Sequence, residues 1–421
     1  MESEISNPAA ALAGLKVVEF AHVIAGPLAG GLMADLGADV IHVEPPGQGD
    51  TARKIGPARD GIYLWWKVSG RNKRSVTIDL RRPEGQQLAR QLVSEADVVI
   101  ASLKSDTLEQ WGLDWDTLHA VNPKLVMLQI SGYGGKSSMR DVPGFGKVGE
   151  ARSGVVNLTG FPEHPPVHTG FSHGDATTGL MGAFSVMAAL FRKANDPDFE
   201  GEWVDLALFE PLFRLIEWQV IVFDQLGEVP ERSGNRMAIA PAAIVNTYQA
   251  SDGEWITITS ATQRSVFNII NLLGLEEEDY ATVEQQTAAR DFLDERVRDW
   301  VQARPGEEAL KELTEAQVVA SRIFSAGDIV EDPNYNELGD ILKIEDRELG
   351  EVRMQGVIPR LANHPGRIWR TGAALGEDNE DALGRWLGMT SEEIDALRAA
   401  GTVGEVPEPP SPVANDLGSP G

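Results

Sequence analysis

The first third of the chain alternates short apolar runs with helix-forming stretches, and this alternation limits the fold more than any other feature. Leu15–Phe20 reads as a strand, a Gly/Ala-rich stretch from about Pro27 to Leu36 as a helix, and Asp39–Val43 as a second strand. A strand–helix–strand unit is the signature of a parallel sheet, because parallel neighbours need a crossover connection. Gly26-Pro27 marks the helix start, since proline fits the first helical turn. The pattern then repeats. Val76–Leu80 reads as a strand, Pro83–Glu95 as a helix by the spacing of Leu88, Leu92 and Val93, Asp97–Ala101 as a strand, Asp106–Trp111 as a helix and Leu125–Ile130 as a strand. The expected fold class is α/β, with a Rossmann-like large domain. No G-x-G-x-x-G follows the first strand, so a dinucleotide site is not supported.

At 421 residues the chain is too long for one simple core. Ser131–His173 is rich in Gly and Pro and reads as loop, and a helix follows to about Lys193. Trp203–Phe223 has both strand and helix character. Composition shifts around Gly227-Glu228-Val229-Pro230, where the change of domain is placed. Asp252-Gly253 reads as a hairpin turn between Val245–Gln249 and Trp255–Thr259. The stretch to about Leu313 is helical and acidic, and Gln317–Asp328 is read as leading back to the large domain. The expected division is 1–225 for the first part of the large domain, 226–320 for a smaller α+β domain and 321–404 for the return. Residues 405–421, rich in Pro, Ser and Gly, form an expected disordered tail.

A net charge of −27 argues against nucleic-acid partners, since phosphate binding needs clustered Lys and Arg. No apolar run reaches roughly 18 residues, so no membrane span is expected. The absence of cysteine excludes disulfides and thiolate metal sites. Met1–Pro8 is polar and acidic, unlike a signal peptide, and the expectation is a cytoplasmic protein. His164 and His168 flank Pro165-Pro166, which forbids the helix that would bring them onto a metal, so no metal is expected.

The sharpest chemical candidate is Asp175, within Gly170-Phe171-Ser172-His173-Gly174-Asp175-Ala176-Thr177-Thr178-Gly179. Glycine lets a ligand approach the backbone, and a carboxylate opening a buried helix is placed to attack an acyl group. An aspartate before an apolar run is also a common helix cap. A second candidate is His22-Val23-Ile24-Ala25, at the carboxyl end of the first strand, the edge where α/β sheets bind ligands. His22 reads equally as a structural histidine. Arg71-Asn72-Lys73-Arg74 is the densest basic run, either a phosphate clamp or an exposed loop. Tyr63, Trp65 and Trp66 could stack on a base, although core packing is commoner. Lys147 is read as facing solvent; Glu150 is left open.

Several of these segments, taken in order, resemble the class III CoA-transferase family, the formyl-CoA transferase and carnitine CoA-transferase group. They are Leu15–Pro27, Leu36–Pro45, Asn72–Leu80, Asp175 with its Gly and Thr neighbours, Gly201–Leu208, Arg232–Arg236 and Asp252–Trp255, covering roughly residues 12 to 390. The resemblance implies that Asp175 forms a covalent intermediate, passing CoA from an acyl-CoA to a carboxylic acid by way of an anhydride and an aspartyl-CoA thioester. It implies coenzyme A thioesters as substrates with no tightly bound cofactor, and an interlocked, ring-like homodimer. His22, Val23, Ile24 and Ala25 would line the CoA pantetheine, Arg71, Lys73 and Arg74 the CoA groove, and Ser102 and Leu103 the adenine. Ile24 stands where a glutamine is frequent, which favours a larger or less polar acyl group than formyl or oxalyl. Ser102-Leu103 replaces an Asn–aromatic pair, and Gln110 and Pro45 replace basic residues. The alternative within the same fold is an α-methylacyl-CoA racemase-like isomerase. That chemistry needs an acid/base pair, and Pro143-Gly144-Phe145-Gly146-Lys147 lacks the histidine expected there.

Overall fold

The computed structural model describes residues 10–237 and 239–404. The tail 405–421 and the acidic Met1–Pro8 lie outside the described residues. The chain divides into two compact units. One comprises the residues up to Ser153, Thr169–Leu215 and those from Asn334 onward; the other comprises Gly154–His168 and Ile216–Pro333.

The first unit is built on a six-stranded sheet. Its elements in chain order are β1 (Lys16–Phe20), α1 (Ala25–Asp35), β2 (Asp39–Glu44), β3 (Arg74–Thr77), α2 (Pro83–Ser94), β4 (Val98–Ala101), β5 (Val126–Ser131), α3 (Gly146–Ser153), α4 (His173–Asn195) and β6 (Glu202–Ala207). The strands are all parallel, in the order β3-β2-β1-β4-β5-β6. They read as nearly continuous apolar runs because both faces are covered. Val18, Phe20, Ile41 and Val43 pack on one side with Leu88 and Leu92 of α2 and with Leu383 and Trp386 of the helix Asn379–Leu387. Val17, Val40, Ile100 and Leu128 pack on the other with α1 and α4, through Ala29, Met33, Ala183 and Val186.

Two elements differ from the sequence expectation. The strand expected at Val76–Leu80 is Arg74–Thr77. It starts early because Arg74 and Ser75, though polar, are buried with their partners: Arg74 Nε donates to Asp39 Oδ1 at 2.6 Å, and Ser75 Oγ to Glu44 Oε1 at 2.6 Å. It ends early because the Asp79 backbone N–H leaves the sheet to reach the Thr402 carbonyl. The stretch expected to be loop, Ser131–His173, contains α3 and the short helix Val155–Leu158. With two glycines and no apolar periodicity, α3 gives no amphipathic signal; it forms where Gly149 packs against the Leu208 backbone and Gly146 against the Asp175 carboxylate.

The second unit carries a three-stranded antiparallel sheet of β7 (Ile244–Gln249), β8 (Trp255–Ser260) and β9 (Val319–Arg322), in the order β9-β8-β7. Its hairpin turns at Asp252-Gly253, where Gly253 takes φ 90° and Ala250 N–H donates to the Glu254 carbonyl at 2.8 Å. Gln317–Asp328 does not run straight back to the large unit, since Arg322 pairs with Ile256 across β8–β9. The sheet packs on Leu293, Val297 and Val301 of the helix Arg290–Gln302, where the buried Tyr248 hydroxyl donates to Asp294 Oδ1 at 2.8 Å. Among the described residues no helix is long and apolar enough to cross a membrane.

In the first unit the chain winds outward in both directions from β1, so its topological switch point lies between β1 and β4. In sheets of this kind the crevice outside the carboxyl ends of those strands takes ligands. Helix α4 approaches this edge along a line of glycines. A methyl group added at Gly179 would lie 2.7 Å from the Ala25 carbonyl oxygen, and one at Gly182 would lie 2.8 Å from a Leu128 methyl carbon. In an exposed helix, Gly→Ala stabilises by about 1 kcal/mol. At Gly179 the clash is with backbone, so the sign should reverse. Gly179→Ala is expected to destabilise by about 1–3 kcal/mol, read as a lower midpoint in urea unfolding.

Candidate active site

Asp175 sits in the first turn of α4, behind the N-cap Ser172. The cap hydrogen bond that an aspartate could make is not its role, since it lies inside the helix. What surrounds it is backbone and charge. A methyl group added at Gly146 would lie 2.1 Å from Asp175 Oδ2, and one at Gly174 would lie 2.6 Å from the Gly146 carbonyl oxygen. The start of α3 thus lies directly against the carboxylate, at a distance only glycine permits. Glu150, on the same helix and 1% exposed, accepts the Gly174 N–H at 3.1 Å and faces Lys147 Nζ at 3.0 Å. Lys147 does not simply face solvent. Its ammonium also donates to the carbonyls of Thr169 at 3.0 Å and Phe171 at 2.9 Å, tying the loop before α4 to α3.

Burial raises the Asp175 pKa from the ordinary 3.8 to about 6; the nearby Glu150 carboxylate adds to the rise, and Lys147 opposes it. Helix N-termini favour negative charge, but here desolvation prevails. The group is ionised at neutral pH, yet poorly solvated.

The second feature lies at the switch point. After β1 the chain passes through His22-Val23-Ile24 into α1. The His22 N–H donates to Ser102 Oγ at 3.0 Å, joining the loop after β1 to the loop after β4. Val23 has φ 67°, and the Ile24 N–H donates back to the His22 carbonyl at 3.1 Å. An i→i+2 bond around a positive φ is the rare, strained form of γ-turn. For a β-branched residue such a conformation costs of order 1–3 kcal/mol. Burial holds the His22 imidazole below its ordinary pKa, against the pull of Asp50. Beyond the turn, Val23, Ile24, Leu28, Trp65, Val68 and Arg71 line a cavity of about 240 Å³. Leu28 also touches Gly179, one helical turn beyond Asp175, so this cavity and the carboxylate share one end of the sheet.

Comparison with known proteins identifies the family: its profile, CoA-transferase family III, matches residues 12–379. The chain is a family III CoA-transferase. It is 36% identical to succinyl-CoA–D-citramalate CoA-transferase of Chloroflexus aurantiacus, over 93% of this chain and 98% of the relative. It is 27% identical to formyl-CoA:oxalate CoA-transferase of Rhodopseudomonas palustris, over 93% and 97% of the two chains. Among solved structures, it matches a CAIB/BAIF family protein from Brucella suis with a TM-score of 0.76 and 31% identity, over 90% of this chain and 99% of the other.

In this CoA-transferase the basic run is divided. Lys73 is 2% exposed and donates to both Glu19 oxygens, at 3.0 and 3.1 Å, and to the Pro27 carbonyl. Arg74, at the amino end of β3, is equally buried and pairs with Asp39 and Asp381. Both charges are neutralised inside the fold, and Arg74 lies at the sheet edge opposite to the switch point. Arg71 also holds Asp35, at 2.5 Å, but it borders the cavity beside Val23. Ser102 reaches the β1 loop as described, whereas Leu103 packs against the core beneath the sheet. Trp66 is buried, with its indole N–H on the Ala373 carbonyl at 2.9 Å, while Trp65 lines the cavity. Gly146 gave no signal of its importance in the sequence, because its role is to be absent from a space. The spacing Gly146-x-x-Gly149 on one helix face is the one trace of it.

The raised Asp175 pKa carries a sign for stability. A carboxyl whose folded pKa exceeds its unfolded value adds stability that is present below 3.8 and lost as pH rises through about 6. Above that range the ionised group is a burden to the fold. Asp175→Asn is therefore expected to raise the thermal midpoint at pH 8, with the gain vanishing below about pH 4. Thermal melts across that range check it, and a lower midpoint at pH 8 contradicts the assigned environment.

Proposed function

We propose that this enzyme transfers CoA from succinyl-CoA to a small carboxylic acid through covalent catalysis by Asp175. The observation that carries the reading is a half-buried, poorly solvated carboxylate against Gly146, at the end of the sheet where the switch point opens. The donor is suggested by relatives that use succinyl-CoA, and the acceptor class by their D-citramalate and L-malate partners.

In the first step an Asp175 oxygen attacks the thioester carbonyl and expels CoA thiolate, forming a mixed anhydride. The thiolate attacks the Asp175 carbonyl, releasing succinate and leaving an aspartyl-CoA thioester. The acceptor carboxylate attacks this thioester and again expels CoA thiolate. The thiolate then takes the acyl group from the new anhydride and frees Asp175. Atoms and charge balance at each step, and the thioester bond is conserved. Dividing one displacement into covalent steps is the ordinary logic of nucleophilic catalysis. Glu150 and Lys147 hold the loop and the helix start, so the carboxylate meets the thioester without reorganising. The His22–Ala25 loop and Arg71 border the acyl and pantetheine path, with Ile24 presenting an apolar wall.

Asp175→Asn is expected to abolish transfer while the protein still folds and binds CoA, because an amide keeps the shape and loses the nucleophile. Incubating the wild-type enzyme with succinyl-CoA and hydroxylamine should place a hydroxamate on Asp175 by peptide mass analysis. A modification at Glu150 or Glu210 instead, or a variant retaining appreciable activity, overturns the assignment.

The active form is proposed to be a homodimer with interlocked subunits. Along α4, Leu180, Phe184 and Phe191 recur on one face at 61%, 69% and 73% exposure, a stripe that a single chain leaves in water. In the second unit Ile221, Phe223 and Leu226 are likewise exposed. Large apolar side chains exposed in this way suit a protein interface. Light scattering at micromolar concentration should give twice the 45.6 kDa of one chain; a single-chain mass refutes the dimer.

A further inference from the structure

The γ-turn at Val23 needs something to hold it, and the fold supplies a buried chain of charges that ends on its N–H. Both oxygens of Asp50 accept the Val23 N–H, each at 3.1 Å. Asp50 is itself fixed. It accepts the Ala52 N–H at 2.8 Å, and its own N–H donates to Glu44 Oε2 at 2.8 Å. His42 lies behind it on β2, 1% exposed, with Nε2 3.3 Å from Asp50 Oδ2 and Nδ1 2.5 Å from Glu19 Oε1. Nε2 makes no hydrogen bond, so its tie to Asp50 is an ion pair. Glu19, fully buried on β1, is closed off by Lys73. The line Lys73–Glu19–His42–Asp50–Val23 thus alternates in charge from the sheet interior to the switch-point loop.

We propose that His42 and Asp50 are positioning residues for CoA transfer, holding Val23 at positive φ so that His22-Val23-Ile24 forms the wall of the acyl-thioester site. The proposal rests on the reading of this loop as part of that site. The physical reason for so much buried charge is the turn itself. A valine at positive φ relaxes to a negative one unless its N–H is captured, and a carboxylate is the strong acceptor that captures it. A carboxylate in that place must be neutralised, and the imidazolium between two carboxylates does so. Burial alone would discharge this imidazole, but Glu19, Asp50 and Glu44 outweigh it and raise its pKa to about 9.

Glycine adopts positive φ without strain, so a Val23→Gly background removes the need for the clamp and separates positioning from general support of the fold. Asp50→Asn is expected to lower kcat for transfer from succinyl-CoA by roughly ten- to a hundredfold, the scale of a misplaced reacting group. In the Val23→Gly background the same substitution should cost less than about a third of that factor. His42→Gln should act in the same direction. An equal loss in both backgrounds, or a wild-type kcat in Asp50→Asn, overturns the relay. Hydrogen exchange gives a readout independent of turnover: amide exchange in a peptide spanning residues 20–26 should quicken in both Asp50→Asn and His42→Gln. Unchanged exchange in both variants overturns the proposal. If the wild-type enzyme does not use succinyl-CoA, the donor assignment falls, and the exchange result alone decides the relay.

Discussion

Most of what makes this site depends on the closeness with which helix α4 is allowed to approach the backbone around it. At Gly174, Gly179 and Gly182 an added methyl group would come within 2.6 to 2.8 Å of the Gly146 carbonyl, the Ala25 carbonyl and Leu128. Each glycine inside a helix costs roughly 0.5–1 kcal/mol relative to alanine. Their placement is explained by the contacts they permit. With the helix drawn in, Asp175 is pressed against Gly146 and loses much of its water; with larger residues it would stand off, better solvated and less basic. The steric gap and the electrostatic shift are therefore one effect seen twice.

The same economy governs the charges. The protein is strongly acidic, yet several of its cations are turned inward. Arg53 makes two bonds to Glu44, at 2.6 and 2.7 Å, Lys73 pairs with Glu19, Arg74 with Asp39, and Arg370 with Asp378. Buried pairs of this kind gain little net stability, because desolvation offsets their attraction. They do fix geometry, since breaking one leaves a charge stranded in the interior. Glu19, His42 and Glu44 sit toward the carboxyl ends of β1 and β2, and the Lys73 side chain reaches in to Glu19 from the chain before β3, so much of this rigidity lies beside the ligand edge. An anionic substrate approaching this surface meets a local arrangement already neutralised, with Arg71 at its border.

The sequence was most legible where one kind of periodicity sufficed. β1, α1, β2, α2 and β4 lie within a few residues of their expected positions, because their burial is apolar on faces that the pattern marks. The hairpin at Asp252-Gly253 was equally clear, being set by local turn chemistry. What could not be read was structure supported by polar burial or by empty space. Arg74 and Ser75 look like loop residues until Asp39 and Glu44 are placed beside them. Helix α3 looks like loop because its packing surface is made of glycine hydrogens. Asp175 stood out for its glycine neighbours, but the partner that matters, Gly146, lies 29 positions away and is brought in by the fold. Asp50 carries no local sign at all, and although Val23 stood at a marked strand end, its positive φ is visible only in three dimensions.

The choice between group transfer and proton abstraction turns on what stands near Asp175. Racemisation beside a thioester needs two groups that exchange a proton on opposite faces of one carbon. Glu150 lies close enough to influence Asp175, but it already accepts from Gly174 and Lys147, and it is buried behind the helix start. His173, two residues before Asp175 on the same helix, projects roughly 200° around the axis from it, away from the carboxylate, and its ring leans on Phe171 at 5.3 Å. A carboxylate with a pKa of about 6 is compatible with the proposed nucleophilic role. It is ionised at neutral pH, and because poor solvation makes its oxygen more basic, it is a stronger nucleophile than an exposed aspartate. Once acylated it carries no charge, and the burial that opposed the carboxylate no longer opposes the anhydride or the thioester. The environment that raises the pKa of Asp175 thus favours any uncharged state of it, acylated or protonated, so it is the placement of Glu150 and His173, and not the pKa, that separates transfer from proton abstraction.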